Sequence, residues 1–173
     1  MFDVRAIRVY DRPDLPGSYT VLVDRLWPRG ISRKQIPQDC WLKELAPSTE
    51  LRQWYHNQPE RWDEFRQRYY HELELHHQAD CRQLVKRASQ QTVVLLYAAT
   101  DTHHNNAVAL KLYFERLECA RRYNAGWIFH GSGPAVRDAV HQAGGMWSRQ
   151  HRAWVLPGST ALKQVHQLLA RED

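Results

Sequence analysis

Cysteine is scarce in this 173-residue chain: Cys40, Cys81 and Cys119 are widely spaced, odd in number and form no C-x-x-C pair. That argues against a disulfide framework and a cysteine-rich zinc site, leaving ordinary reduced thiols. No apolar run approaches the roughly 18 residues of a membrane span. The opening Met1-Phe2-Asp3-Val4-Arg5 lacks the apolar core of a signal peptide, so a cytoplasmic protein with no membrane partner is expected. Internal repeats and low-complexity segments are absent too. What remains is globular in composition, 43% hydrophobic and 25% charged. The length suits one domain, or one domain with a small appendage.

Acidic charge is the minority sign. The formal net charge is +5 with histidine neutral, and ten histidines can add to it below neutral pH. Residues 1–122 hold 19 Lys/Arg against 16 Asp/Glu, and residues 123–173 hold 5 against 3, so neither part is a basic tail. This permits phosphorylated ligands or nucleic acid as partners without demanding them. Nothing in the sequence points to a protein partner or a cofactor.

The chain alternates apolar runs with helical periods. Residues 4–10 predict a first strand and 19–25 a second, separated by the turn formers of 11–18. Trp41 to Leu45 reads as a short helix, and Ser48 is a candidate N-cap for the next. From Pro59, the spacing of Trp62, Phe65, Tyr69, Leu73, Leu84 and Val85 predicts one long helix to about Ala88. Thr92 to Tyr97 is apolar on both faces, as in the central strand of a parallel sheet. A helix follows from about His104 to Arg121. Strand, helices, strand, helix is the order of a βαβ crossover. After Asn124-Ala125-Gly126 the pattern becomes strand 127–130, helix 135–142, a hairpin over 146–156 and a last helix 160–170. The expected class is therefore α/β, a small mostly parallel sheet flanked by helices over 1–122, with an appended βαββα (α+β) module over 123–173.

Two polar clusters stand at predicted strand ends. The run Val21-Leu22-Val23 passes into Asp24-Arg25-Leu26-Trp27-Pro28-Arg29-Gly30, with Arg33 and Lys34 beyond. The second is Tyr97 followed by Asp101, His104, Asn105 and Asn106 at the mouth of a helix. Ligands of α/β sheets bind outside the carboxyl ends of strands, and helix N-termini attract anions. On a parallel sheet both clusters share one edge. Arg25, Arg29, Trp27 and Asn105 are then candidate ligand-binding residues, because guanidinium forks fit phosphate. Asp24, Tyr97, Asp101 and His104 are candidate proton-transfer residues. The structural alternatives are an Asp24–Arg25 pair that pins the loop, an Asp101 that caps a helix, and a Trp27 that plugs its loop. His71, His76 and His77 are spaced i,i+5 or i,i+6 rather than the i,i+4 of helical zinc sites, so they read as a solvated face. In the tail, Trp147 and Trp154 would meet across a hairpin with Arg149, His151 and Arg152 at its tip. Aromatic residues beside basic ones suit single-stranded nucleic acid, which makes Trp147 and Arg149 further ligand candidates.

Six segments carry a family resemblance. They are Arg8-Val9-Tyr10-Asp11, the run Val21 to Gly30, Trp41-Leu42-Lys43-Glu44-Leu45-Ala46-Pro47-Ser48, Leu51-Arg52-Gln53-Trp54-Tyr55-His56, Pro59-Glu60-Arg61-Trp62, and Leu95-Leu96-Tyr97-Ala98-Ala99 with Asp101 and His104-Asn105-Asn106-Ala107. In this order they resemble the domain of unknown function 488, YeaO-like branch, over residues 4 to about 118. The chain departs from that pattern at Thr100, where the family commonly has Lys, and at Gln58, where it has an acid. The resemblance implies a compact α/β fold and, by the family's own name, assigns no activity. Longer relatives loosely resemble rhodanese-type sulfurtransferases, whose chemistry needs a low-pKa cysteine in the strand-to-helix loop. Loop 97–106 has none, which argues against persulfide chemistry. Ala143-Gly144-Gly145-Met146-Trp147 with Arg152-Ala153-Trp154-Val155-Leu156-Pro157 is similar to small HepA-related (HARP) modules, a resemblance that implies DNA contact. Two functions follow: an enzyme acting on a nucleotide-like or nucleic-acid substrate, or a non-catalytic nucleic-acid-binding adaptor.

Overall fold

The computed structural model describes residues 1–36 and 40–170, and divides them into two compact units, Phe2–Phe114 and the part from Glu115 on. The dividing point falls inside a helix.

The first unit is built on a three-stranded parallel sheet of β1 (Val4–Arg8), β2 (Tyr19–Leu22) and β3 (Val93–Tyr97), in the order β1-β3-β2. The central place of β3 follows from its sequence, since all five of its side chains are apolar or aromatic and all are buried. Val94 and Leu96 pack with Val9, Leu22 and Ile36 on one face, where Trp27 and Trp41 join them. The free edge of β2 is covered by a parallel bridge between Leu22 and Trp41. Helices α1 (Thr49–Asn57), α2 (Trp62–His76) and α3 (Gln78–Ala88) cross from β2 to β3, and α4 (Asn106–Asn124) leaves β3.

Ser48 is the N-cap of α1, its Oγ accepting from the Leu51 amide at 3.1 Å. Its own N–H and Oγ–H donate to the two carboxylate oxygens of Glu72 at 2.9 and 2.6 Å, tying α1 to α2.

Several boundaries differ from the sequence reading. The first strand stops at Arg8 and turns through one 3-10 turn, Val9–Asp11. The second stops at Leu22 rather than 25, because Asp24 rotates out of the ladder to bind the neighbouring strand's end. The predicted helix at 41–45 is only a 3-10 turn, Lys43–Leu45. The single long helix is two. His77 leaves helical geometry (φ −134°, ψ 22°), and α3 restarts at Gln78. The last helix of this unit opens at Asn106, two residues late, because Asp101 folds the preceding residues into a turn.

The second unit has β4 (Ile128–Phe129), α5 (Pro134–Gln142), β5 (Met146–Ser148), β6 (Ala153–Val155) and α6 (Ser159–Leu169), its antiparallel sheet ordered β4-β6-β5. Val140, Leu156 and Val165 form its fully buried centre. Gly144 ends α5 at φ +73°, and a Cβ on Gly145 would lie 2.3 Å from Val140 Cγ1. The last turns of α4 anchor here. Glu118 accepts from both Arg121 and Arg122, and Arg122 also donates to the Gly144 carbonyl at 3.1 Å. Both members of the Glu118–Arg122 pair are almost wholly buried. This arrangement satisfies the rule that a buried charge must be paired.

No described helix is long and apolar enough to cross a membrane.

Candidate ligand-binding cleft

Parallel pairing puts the carboxyl ends of β2 and β3 side by side, and a cleft of about 550 Å³ opens there within the first unit. Asp24, Arg25, Trp27, Arg29, Asp101, His104 and Asn105 all line it. Arg52, Tyr55 and His56 of α1 line the same space. Sequence reading did not assign roles to these three. The available signal was their helical spacing, Arg52 to His56 being i,i+4 and Arg52 to Tyr55 i,i+3.

The acids are committed to the fold. Asp24 Oδ2 accepts the Ala98 amide at 2.8 Å, so its carboxylate clamps the end of β2 to the end of β3. Its backbone carbonyl accepts from Trp41 Nε1 at 2.7 Å. Asn106 donates to the Val23 carbonyl at 2.8 Å and also to the Asp24 carboxylate. Burial raises the Asp24 pKa despite these donors. Asp101 is exposed, and one of its oxygens accepts the amides of His103 (2.8 Å) and His104 (2.9 Å), while the other faces His104 Nδ1 at 3.2 Å. The two amides, chiefly, lower its pKa. Asn105, 4% exposed, caps α4 by accepting the Val108 amide at 3.0 Å and returns its Nδ2 to the Asp101 carbonyl at 2.9 Å.

Tyr97 stands apart from the cleft. It is buried, it does not line the space, and burial raises its pKa in spite of a hydrogen bond with Asn105. Trp27 is half-buried and fixed. Its Nε1 donates to the Ile31 carbonyl at 2.8 Å, and its ring meets Trp41 edge-on at 5.3 Å. Arg33 lies over it at 5.2 Å. Trp147 and Arg149 belong to the second unit. Trp147 is 45% exposed and sits in register with Trp154, the rings 5.1 Å apart, while Arg149 is exposed in the turn.

The cations are arranged differently from the acids. Arg25 donates to the carbonyls of Pro47 (3.0 Å) and Ala46 (3.3 Å), which uses two of the five N–H donors of a guanidinium and fixes its plane. Arg29 and Arg52 are exposed at the cleft, and among the described residues neither guanidinium has an ion pair or hydrogen bond. The same lining carries the apolar or aromatic side chains of Leu26, Pro28, Ala46, Pro47, Tyr55 and Phe65.

No cysteine lines the cleft. Cys81 and Cys119 are buried, which pushes their thiols up to about 12 and about 11, so both stay protonated at neutral pH. The described residues contain no group of three or more His, Cys, Asp or Glu placed to hold a metal ion.

A family model described as "Inactive DUF488-N3 subclade" matches residues 3–125. The chain belongs to the DUF488, YeaO-like family. It is 41% identical over 108 residues to the uncharacterised protein YeaO of Escherichia coli (strain K12), covering 62% of this chain and 93% of YeaO. It is 42% identical over 107 residues to the uncharacterised protein Rv3073c of Mycobacterium tuberculosis (strain ATCC 25618 / H37Rv), covering 62% of this chain and 89% of that one. No solved structure matches. The DUF488 match takes in every residue of the cleft and leaves Trp147 and Arg149 outside it.

Proposed function

We propose that this protein binds a small anionic molecule in the β2–β3 cleft and performs no chemistry on it. One observation carries the reading: the cleft's acids are spent on backbone amides, while the guanidinium groups of Arg29 and Arg52 have no ion pair or hydrogen bond among the described residues. A general acid or base needs a titratable group within hydrogen-bond reach of the reacting atom. Asp24 is held by Ala98 and Asn106, Asp101 by its own loop, and Tyr97 lies outside the space; of the two histidines that line it, His104 has its Nδ1 on Asp101, and His56 has no side-chain partner among the described residues to orient it. The description "Inactive" attached to the matching family supports the same side. Arg25, fixed by two carbonyls, gives the anion a rigid partner, and the positive end of the α4 dipole adds to the field. The volume lies within the roughly 300–1,000 Å³ of small-molecule sites, which favours a small ligand over a polymer strand.

Calorimetric titration with inorganic phosphate and pyrophosphate at low ionic strength tests this. The wild type binds, and the double change Arg29→Ala/Arg52→Ala weakens binding at least about tenfold, the scale of losing charge-assisted hydrogen bonds. Neither anion binding, or binding indifferent to the double change, refutes it.

A second reading concerns the C-terminal unit and has its own support. Trp147 is exposed beside Trp154, with Arg149 and Arg152 exposed in the adjoining turn. Rings next to guanidinium groups suit single-stranded nucleic acid.

A further inference from the structure

The cleft has two chemistries, and a bare anion uses only one of them. Its cations are Arg25, Arg29 and Arg52. Much of the remaining lining is apolar and aromatic. Tyr55 lays its ring on Phe65 with centroids 4.2 Å apart and planes at 21°, and Phe65 is itself 2% exposed, so the stack is backed by core. Leu26 lines the same space from the loop and is 62% exposed, an aliphatic side chain left in water. Pro28, Pro47 and the alanines between them offer no hydrogen-bonding side chain. Phosphate alone would leave that wall wet. Burying it requires a flat apolar body joined to the anion.

We propose that the ligand is a mononucleotide, with its base against Tyr55 and Leu26 and its phosphate against Arg25, Arg29 and Arg52. This rests on the anion-binding reading above and narrows it to a ligand class. The geometry favours a base over an aliphatic acid because Tyr55 is a rigid ring already stacked on one side, and offset stacks extend readily to a third ring. It favours one nucleotide over a strand because the space is a single cleft of about 550 Å³. Burial, with the charges of Asp101 and Glu60, raises the Tyr55 phenol, so it stays neutral and can donate to a base edge or a sugar oxygen.

The test is a titration of the full chain with AMP, GMP, CMP and UMP beside inorganic phosphate, for the wild type, Tyr55→Leu and Leu26→Ser. At least one mononucleotide should bind about tenfold or more tightly than phosphate, the scale of one base–aromatic stack. Tyr55→Leu keeps apolar bulk on Phe65 and should bring nucleotide affinity down toward that of phosphate while phosphate binding is unchanged. Leu26 is exposed, so Leu26→Ser leaves the fold intact and should weaken nucleotides alone. Phosphate binding without nucleotide preference overturns this inference and spares the anion reading. Nucleotide binding indifferent to both substitutions also overturns it. No binding by the wild type, phosphate included, overturns both readings, and loss of phosphate binding on Tyr55→Leu overturns this one.

Discussion

At the scale of single residues, Asp24 reads as a proton-transfer candidate in the sequence, and in the fold its carboxylate ties two strand ends together. An acid at the end of a buried strand invites a proton-transfer role, yet its carboxylate satisfies the first backbone amide beyond β3. Asp24→Ala would orphan that Ala98 N–H and should cost about 1–3 kcal/mol in urea unfolding, whereas Asp24→Asn keeps an acceptor and should cost less. The pH dependence carries a sign. The folded pKa is raised, so the native state holds its proton to higher pH than the unfolded chain does. The stability this contributes is present at low pH and is lost as pH rises through the folded pKa. Wild type should therefore gain on Asp24→Asn as pH falls from 7 toward 4, and an unchanged difference would show that Asp24 does not titrate there. Asp24, Arg25, Asp101 and His104 were legible because each stands at a strand end or helix mouth. Arg52, Tyr55 and His56 were not. They belong to the polar side of an amphipathic helix, and only the docking of α1, through Ser48 on Glu72, gives that side a cleft to face.

At the scale of elements, apolar pattern located all six strands of the described residues and misjudged where they stop, since strand ends are set by neighbours. The break at His77 was invisible for a related reason. Tyr69, Leu73, Cys81, Leu84 and Val85 are all buried, so the periodicity stays apolar across a backbone that has turned. The β5–β6 hairpin, by contrast, was legible in its pairing. Trp147 opposes Trp154 because two short runs flank a polar turn, with Arg152 at φ +50°. If that hairpin contacts nucleic acid, fluorescence titration with short oligonucleotides should show affinity falling steeply with salt. Trp147→Ala/Arg149→Ala should weaken binding and flatten the salt slope. Binding that is undetectable at low salt, or untouched by the double change, would remove this reading.

At the scale of the molecule, we propose that residues 1–122 form one domain and 123–173 a small second module. A fragment ending at Arg122 keeps the whole parallel sheet, its helices and its core. The 108 residues matched in YeaO are 93% of that protein, so a chain of about this length exists without a second unit. The fragment should melt in a single cooperative transition followed by circular dichroism, while the isolated tail, at about 50 residues, should be marginal. A fragment that shows no transition would mean that Glu118 and Arg122, stripped of Gly144, cost more than the first core can bear. The strand order has a consequence in time as well as in space. Both partners of β3 come early, Val4 pairing with Val93 and Tyr19 with that same residue, so every ladder in the first unit spans more than seventy residues. Such distant closures are slow. During synthesis the two leading strands wait for a third that has not yet been made, and Val21-Leu22-Val23 spends that interval as an exposed, sticky segment. Synthesis must pass through the sixty-eight residues between Asp24 and β3 before either ladder can close.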